Sequence, residues 1–137
     1  MLDTSVIVAA LRSRGGASNA LLRRVAAGRV VPLLTPVLFL EYEAVLKRPE
    51  QRLAHGLSAE AVDRFLAALA SAAEPVEVRF RWRPQLADPG DEMVLEAAVN
   101  GRAEALVTHN IRDFRAAAAR FGLAVVAPGD WLREIGA

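Results

Sequence analysis

Four acids of this chain stand beside apolar runs rather than in solvated charge clusters: Asp3 in Leu-Asp-Thr-Ser-Val, Glu41 in Leu-Phe-Leu-Glu-Tyr, Asp91 in Asp-Pro-Gly-Asp-Glu and Asp113 in Val-Thr-His-Asn-Ile-Arg-Asp-Phe. A carboxylate at the rim of a core loses solvation, so its position calls for a partner. One divalent cation shared among several carboxylates supplies that partner for all of them at once. Each acid also has a plain structural explanation. Asp3 and Asp113 suit helix caps, Asp91 favours a helix dipole behind the better cap Asp88, and Glu41 pairs readily with Arg12 or Arg48. Convergence of all four is what separates a metal site from four local roles.

The rest of the side-chain inventory narrows the chemistry. There are no cysteines, which removes disulfides, thiolate zinc sites and a cysteine nucleophile. His55 and His109 are the only histidines, too few for an imidazole-rich site. A hard, oxygen-liganded ion such as Mg²⁺ or Mn²⁺ is what remains. One such ion with waters, or two about 3.5–4 Å apart, activates water and stabilises a leaving oxygen in phosphodiester hydrolysis. Thr4, Ser5 and Thr108 have hydroxyls able to orient a carboxylate or a metal-bound water. Ser5 lacks the His–Asp partnership of a serine nucleophile. His109 is expected to bond to backbone at a strand end, with a general-base role as the alternative. Glu92 and Glu96 are expected on a solvated face, with Glu96 pairing locally.

The 137 residues suffice for one domain with a proper core, and a hydrophobic content of 53% against 24% charged residues excludes disorder. No apolar stretch approaches the ~18 residues of a membrane span. The opening Met-Leu-Asp-Thr-Ser lacks a basic n-region, so a cytoplasmic protein is the default expectation. Net charge is +1, yet residues 1–87 carry 12 Arg and Lys against 8 acids, and residues 88–137 carry 5 against 8. Arg12, Arg14, Arg23, Arg24, Arg112 and Arg115 are placed to form a cationic rim for phosphates, although plain solvated helix surface explains many of them as well.

Punctuation along the chain alternates strands with helices. Residues 1–3 end a short strand, and residues 6–11 continue as a helix broken by Gly15 and Gly16. Ser18 caps a helix that carries Leu21, Leu22, Val25 and Ala26 and stops at Gly28. Residues 30–34 form a buried strand. Thr35-Pro36 opens a helix running to Arg48 before Pro49, and Ser58 caps the next. Residues 76–83 alternate strictly: Val76, Val78, Phe80 and Trp82 point one way, and Glu77, Arg79, Arg81 and Arg83 the other, as in an edge strand or extended arm. Asp88-Pro89 starts a helix that ends at Asn100-Gly101. Residues 105–108 form a strand, 112–121 a helix, 123–127 a strand, and Pro128 opens a terminal helix. This order predicts an α/β fold with a parallel sheet covered by helices on both faces, and ligands collect at the carboxyl ends of such strands.

The ordered set Asp-Thr-Ser-Val-Ile, Leu-Glu-Tyr, Asp-Pro-x-Asp-Glu-x-Val-Leu-Glu-Ala-Ala and Val-Thr-His-Asn-x-x-Asp-Phe resembles the PIN-domain family over nearly the whole chain. It is most similar to the small bacterial VapC-like branch, the toxin components of toxin–antitoxin systems. The resemblance implies a three-layer α/β/α sandwich with a central parallel sheet, metal-dependent cleavage of RNA, and inhibition by a small antitoxin protein. It places the family's acidic quartet on Asp3, Glu41, Asp91 and Asp113, with Asn110 contributing through water. Where relatives carry Asp at position 110 the neutral Asn lowers the site's negative charge, which points to one-metal occupancy or to a metal bound only with substrate. Relatives usually have a longer apolar run before the first aspartate; either the start lies upstream or the first strand is short.

Two rivals remain. A phosphoaspartate enzyme needs a lysine near its phosphoryl group, and the sole lysine, Lys47, lies at a helix end. A catalytically weak PIN-fold module that binds RNA or protein is the other. The arm at residues 76–82 and the apolar early helices offer surface for a homodimer, for the antitoxin, or for both.

Overall fold

The computed structural model describes residues 1–81 and 83–136, so Trp82 of the expected arm lies outside the described residues. Eight helices and four two-residue strands appear among them: α1 (Thr4–Arg12), α2 (Ala17–Ala26), β1 (Leu33–Leu34), α3 (Pro36–Leu46), α4 (Pro49–His55), α5 (Ala59–Ala72), β2 (Glu74–Pro75), α6 (Pro89–Asn100), β3 (Leu106–Val107), α7 (Ile111–Arg120), β4 (Val125–Val126) and α8 (Pro128–Glu134). No helix among them is long and apolar enough to cross a membrane.

Local chemistry starts several of these helices where the sequence predicts. Thr35 accepts from the Leu38 amide at 3.0 Å ahead of Pro36, and Ser58 accepts from the Ala61 amide at 3.1 Å. Asp88 does the same for α6, accepting from the Gly90 amide at 2.7 Å and the Asp91 amide at 3.4 Å. Ser18 is not a cap. Helix α2 begins one residue earlier behind Gly16, and Ser18 is buried within its first turn. Helix α3 stops at Leu46, short of the expected Arg48, and Pro49 opens another helix, α4, because its fixed φ suits a first helical position.

The α/β class holds and every strand pairing is parallel. β1 pairs with β2, β3 pairs with β4, and Leu2 bridges Val107 on β3. Among the described residues these remain two two-stranded sheets and a bridge, not one continuous central sheet. Proline explains part of the brevity, since Pro32 has no N–H to extend the β1–β2 ladder toward the start of β1, and Pro75 has none to offer a further strand on the other edge of β2. The expected strand at residues 30–34 therefore narrows to Leu33–Leu34, and pairing of the 76–83 segment shifts back to Glu74–Pro75. Beyond Val76 the chain is held by a side chain instead: Asn100 Oδ1 accepts from the Arg79 and Phe80 amides, both at 3.0 Å.

The core joins Leu2, Val6, Ile7, Leu21, Leu38, Tyr42, Leu46, Leu66, Leu106 and Phe114, so residues from α1, α2, α3, α5, α7 and the paired segments share one interior. Glu92 and Glu96 are not on a solvated face. They are 5% and 7% exposed, and α6 turns them inward to fasten the preceding loop. Glu92 Oε1 accepts from the Gln85 and Leu86 amides at 2.6 and 2.7 Å, and Glu96 pairs with Arg83. Buried carboxylates with such partners are structural struts.

Candidate active site

The first three residues run parallel beside β3. The Met1 carbonyl accepts from the Val107 amide at 2.8 Å, and the Asp3 amide donates to the Val107 carbonyl at 2.9 Å. Both chains leave this pairing at the same edge, so Asp3 and Thr108 emerge together. Asp3 occupies the N-cap position of α1, yet its side chain makes no cap bond. Its Oδ2 instead accepts from Ser5 Oγ at 2.6 Å and from Thr108 Oγ1 at 2.7 Å. Oδ1 accepts no hydrogen bond from the described residues. The carboxylate is 3% exposed, so this double hydroxyl clamp offsets its lost solvation.

Each hydroxyl is also an acceptor. Ser5 Oγ takes the His109 amide at 3.1 Å, and Thr108 Oγ1 takes the Asn110 amide at 2.9 Å. Helix α1 and the loop after β3 are thereby tied through Asp3. With its proton directed at Asp3, the Ser5 hydroxyl orients a carboxylate, as one of its expected roles required.

Glu41 arrives from α3, which leans across the edge. Its neighbour Tyr42 is buried and donates its hydroxyl to the Leu2 carbonyl, which anchors α3 to the chain just before Asp3. Burial, and secondarily the Asp3 charge, push the Tyr42 phenol far above its ordinary range, so it remains a donor. The Glu41 carboxylate rests against the start of α6. A Cβ added at Gly90 would stand 3.2 Å from Glu41 Oε1 and 3.1 Å from Asp88 Oδ1. The bare glycine therefore lets Glu41 approach the turn that carries Asp91.

These side chains face one open pocket of about 650 Å³, whose wall includes Asp3, Thr4, Ser5, Arg12, Glu41, Arg48, Asp88, Asp91, His109 and Asn110. Asp91 bears the mark of the gathering. Its carboxyl is raised from 3.8 to about 6, first by burial, then by the charges of Asp3, Asp88, Asp113 and Glu41. No ion pair neutralises Asp3, Glu41, Asp91 or Asp113 among the described residues. Arg12 and Arg48 share the pocket wall without pairing to Glu41.

Asp113 lies apart from the other three. It is exposed in the first turn of α7 and outside the pocket wall, and reaches the site through its charge on Asp91. It is not the cap of its helix, because α7 begins at Ile111 behind Asn110. Asn110 itself makes no side-chain cap bond. Arg14, Arg112 and Arg115 are exposed and stand outside the pocket.

A preformed cage of four carboxylates is not what the fold presents. Among the described residues no three His, Asp or Glu side chains converge closely enough to hold one ion. The donor chemistry nevertheless fits a hard cation: oxygen only, several carboxylates without compensating charge, and an unpaired oxygen on the most buried of them. Asp88, Arg48 and the pairing of His109 with Ser18 are site features that sequence reasoning missed or assigned elsewhere. The cap role of Asp88 was legible, whereas its second face toward the pocket depends on where α3 crosses.

Carboxylates delivered beyond the ends of parallel strands, into an open pocket, define an α/β protein with an acidic ligand site at that edge. The PIN-domain family model matches residues 1–112, and the chain belongs to the PIN-domain family. No curated protein and no solved structure matches the chain. PIN domains are generally nucleases, hence hydrolases, and generally use divalent metals. Asp3, Glu41 and Asp91 fall inside the matched span, and Asp113 follows its last residue directly.

Proposed function

We propose that this chain is a Mg²⁺- or Mn²⁺-dependent endoribonuclease, the VapC-like toxin of a type II toxin–antitoxin pair, acting in the cytoplasm as a single domain of residues 1–137. One observation carries the reading: Asp3, Glu41 and Asp91 share a pocket with no cation paired to any of them among the described residues, and burial, followed by the surrounding carboxylate charges, lifts the Asp91 carboxyl to about 6. A three-layer α/β/α arrangement around one central parallel sheet belongs to the same reading.

Asp3, Glu41 and Asp91 would hold the ion once their side chains draw in around it, with water completing its shell and Asp113 contributing from α7. The metal supplies charge neutralisation and an activated water for attack on phosphorus. Ser5 and Thr108 hold the Asp3 carboxylate through Oδ2, which leaves Oδ1 available to a ligand. Thr4 and Asn110, both on the pocket wall, orient water. Arg12 and Arg48 receive phosphate oxygens inside the pocket, while Arg14, Arg112 and Arg115 contact the RNA backbone outside it. The exposed Val37 and Leu40 on α3 and Leu53 on α4 offer apolar surface to an antitoxin or a second copy of the chain.

The test is cleavage of structured RNA by purified protein with Mn²⁺, with EDTA, and with Asp3→Asn. Metal-dependent cutting that is lost in Asp3→Asn supports the nuclease. Separated carboxylates favour the second reading, a catalytically weak PIN-fold module, and RNA bound but left intact with Mn²⁺ would establish it. The toxin role predicts growth arrest on expression, relieved by co-expressing a small protein encoded beside this gene. Growth that continues unchanged defeats that part of the proposal.

A further inference from the structure

The two histidines are used differently. His55 commits both ring nitrogens to the fold: Nε2 donates to the Leu46 carbonyl at 2.9 Å, and Nδ1 accepts from the Leu57 amide at 2.9 Å. His109 commits one. Its Nε2 stands 2.7 Å from Ser18 Oγ, and Nδ1 has no partner among the described residues. The residue is exposed and lines the acidic pocket. Its main chain is held by Ser5 on α1, and its ring by Ser18 on α2.

Ser18 makes no other side-chain hydrogen bond among the described residues and is 3% exposed. A buried serine is thus dedicated to orienting an exposed imidazole at the pocket. A hydroxyl is also an adaptable anchor, because it donates or accepts. With a neutral ring, Ser18 either donates to Nε2, leaving the proton on Nδ1, or accepts from Nε2–H, leaving Nδ1 an acceptor. With a charged ring, Nε2–H donates to Ser18 and Nδ1 carries a proton. The charged ring and the first of these neutral tautomers offer an N–H on the side of the ring away from Ser18, and the hydroxyl accommodates either. An anionic oxygen beside Nδ1 selects those states, and Ser18 holds the ring in place for it.

We propose that His109, oriented by Ser18, donates from Nδ1 to a phosphodiester oxygen of the RNA at the mouth of the pocket. His109 is then a substrate-binding residue and Ser18 its positioning residue. The proposal rests on the ribonuclease reading but concerns binding, so it can be measured without turnover.

The experiment measures affinity for a fluorescent structured RNA with Mg²⁺ on the Asp3→Asn background. His109→Ala, Ser18→Ala, both together, and His109→Asn are compared, with melting temperatures as a check on folding. Loss of one charge-assisted contact weakens binding roughly ten-fold in His109→Ala. Ser18→Ala shows part of that loss, and the double variant is no worse than His109→Ala alone. His109→Asn, whose amide nitrogen stands near the place of Nδ1, recovers part of the affinity. In the active protein the same changes raise KM with kcat nearly unchanged. Unchanged affinity in His109→Ala overturns the proposal, as do additive losses from His109 and Ser18 or an RNA that does not bind at all. RNA bound through His109 by a wild type that never cuts would leave this inference standing while the nuclease reading fell.

Discussion

Thr108 Oγ1 donates to Asp3 Oδ2 at 2.7 Å across 105 positions of sequence, while accepting the Asn110 amide at 2.9 Å. One fully buried hydroxyl thus sets the direction of the most buried acid and the course of the loop beside it. Thr108→Val keeps the shape and removes both bonds. It is expected to cost about 1–3 kcal/mol, because a buried carboxylate oxygen and an amide each lose a partner. Urea denaturation measures this, and Thr108→Ser restores most of it. RNA cleavage in Thr108→Val falls roughly ten-fold through misdirection of Asp3. An unaltered midpoint would show that Ser5 alone suffices.

Asp91 links stability to pH. Its carboxyl titrates at about 6 in the fold against 3.8 as the unfolded value, so the folded chain holds that proton more tightly. The resulting stabilisation is full below about pH 4 and disappears as pH rises through about 6. Asp91→Asn removes this dependence. The metal-free variant melts higher than wild type near pH 7.5, and the gap closes near pH 4. Parallel melting curves across that range would contradict the burial of Asp91 among neighbouring carboxylates.

A divalent cation bound at the proposed site would neutralise the carboxylate charges around Asp91. Mn²⁺ raises the melting temperature of the wild type more near pH 7.5 than near pH 5, where protons compete for the carboxylates. Asp3→Asn reduces that gain strongly, and Asp113→Asn reduces it less, in keeping with the exposed position of Asp113. Equal gains from Mn²⁺ in the wild type and in Asp3→Asn would remove Asp3 from the metal site.

Gly90 is an approach point. Added there, a methyl group meets Glu41 Oε1 at 3.2 Å and Asp88 Oδ1 at 3.1 Å, so Gly90→Ala pushes the Glu41 carboxylate away from Asp91. Stability changes little at this helix start, whereas Mn²⁺ affinity is expected to fall several-fold. Calorimetric titration with Mn²⁺ decides it, and undiminished affinity would show that Glu41 is not a ligand.

Glu92 fastens the loop that leads into α6, accepting two amides on a single oxygen. Glu92→Ala strands both donors, at a cost of about 1–3 kcal/mol, whereas Glu92→Gln retains an acceptor and most of the stability. Amide exchange at Gln85 and Leu86 accelerates in Glu92→Ala. Unaltered exchange at those two amides would mean the loop is held elsewhere.

What the chain reveals before folding is local. Thr35, Ser58 and Asp88 announce their helices because a cap bond reaches only two or three residues, and Pro36, Pro49 and Pro89 hold their φ wherever they stand. The α/β order and the acids Asp3, Glu41 and Asp91 are legible for the same reason, since apolar runs and their punctuation are read within a window of about ten residues. Inward-facing Glu92 and Glu96 were not legible, because their partners, Leu86 and Arg83 among them, lie in a loop whose path is set by α6. The bond from Ser18 to His109 was equally hidden, as it exists only once α2 packs beside the loop after β3. Convergence itself was decided by tertiary structure: Glu41 meets Gly90 because Tyr42 ties α3 to Leu2, and Asp3 meets Thr108 because two parallel segments end together. Caps and prolines act through neighbours in the chain, whereas an acidic pocket depends on neighbours in space.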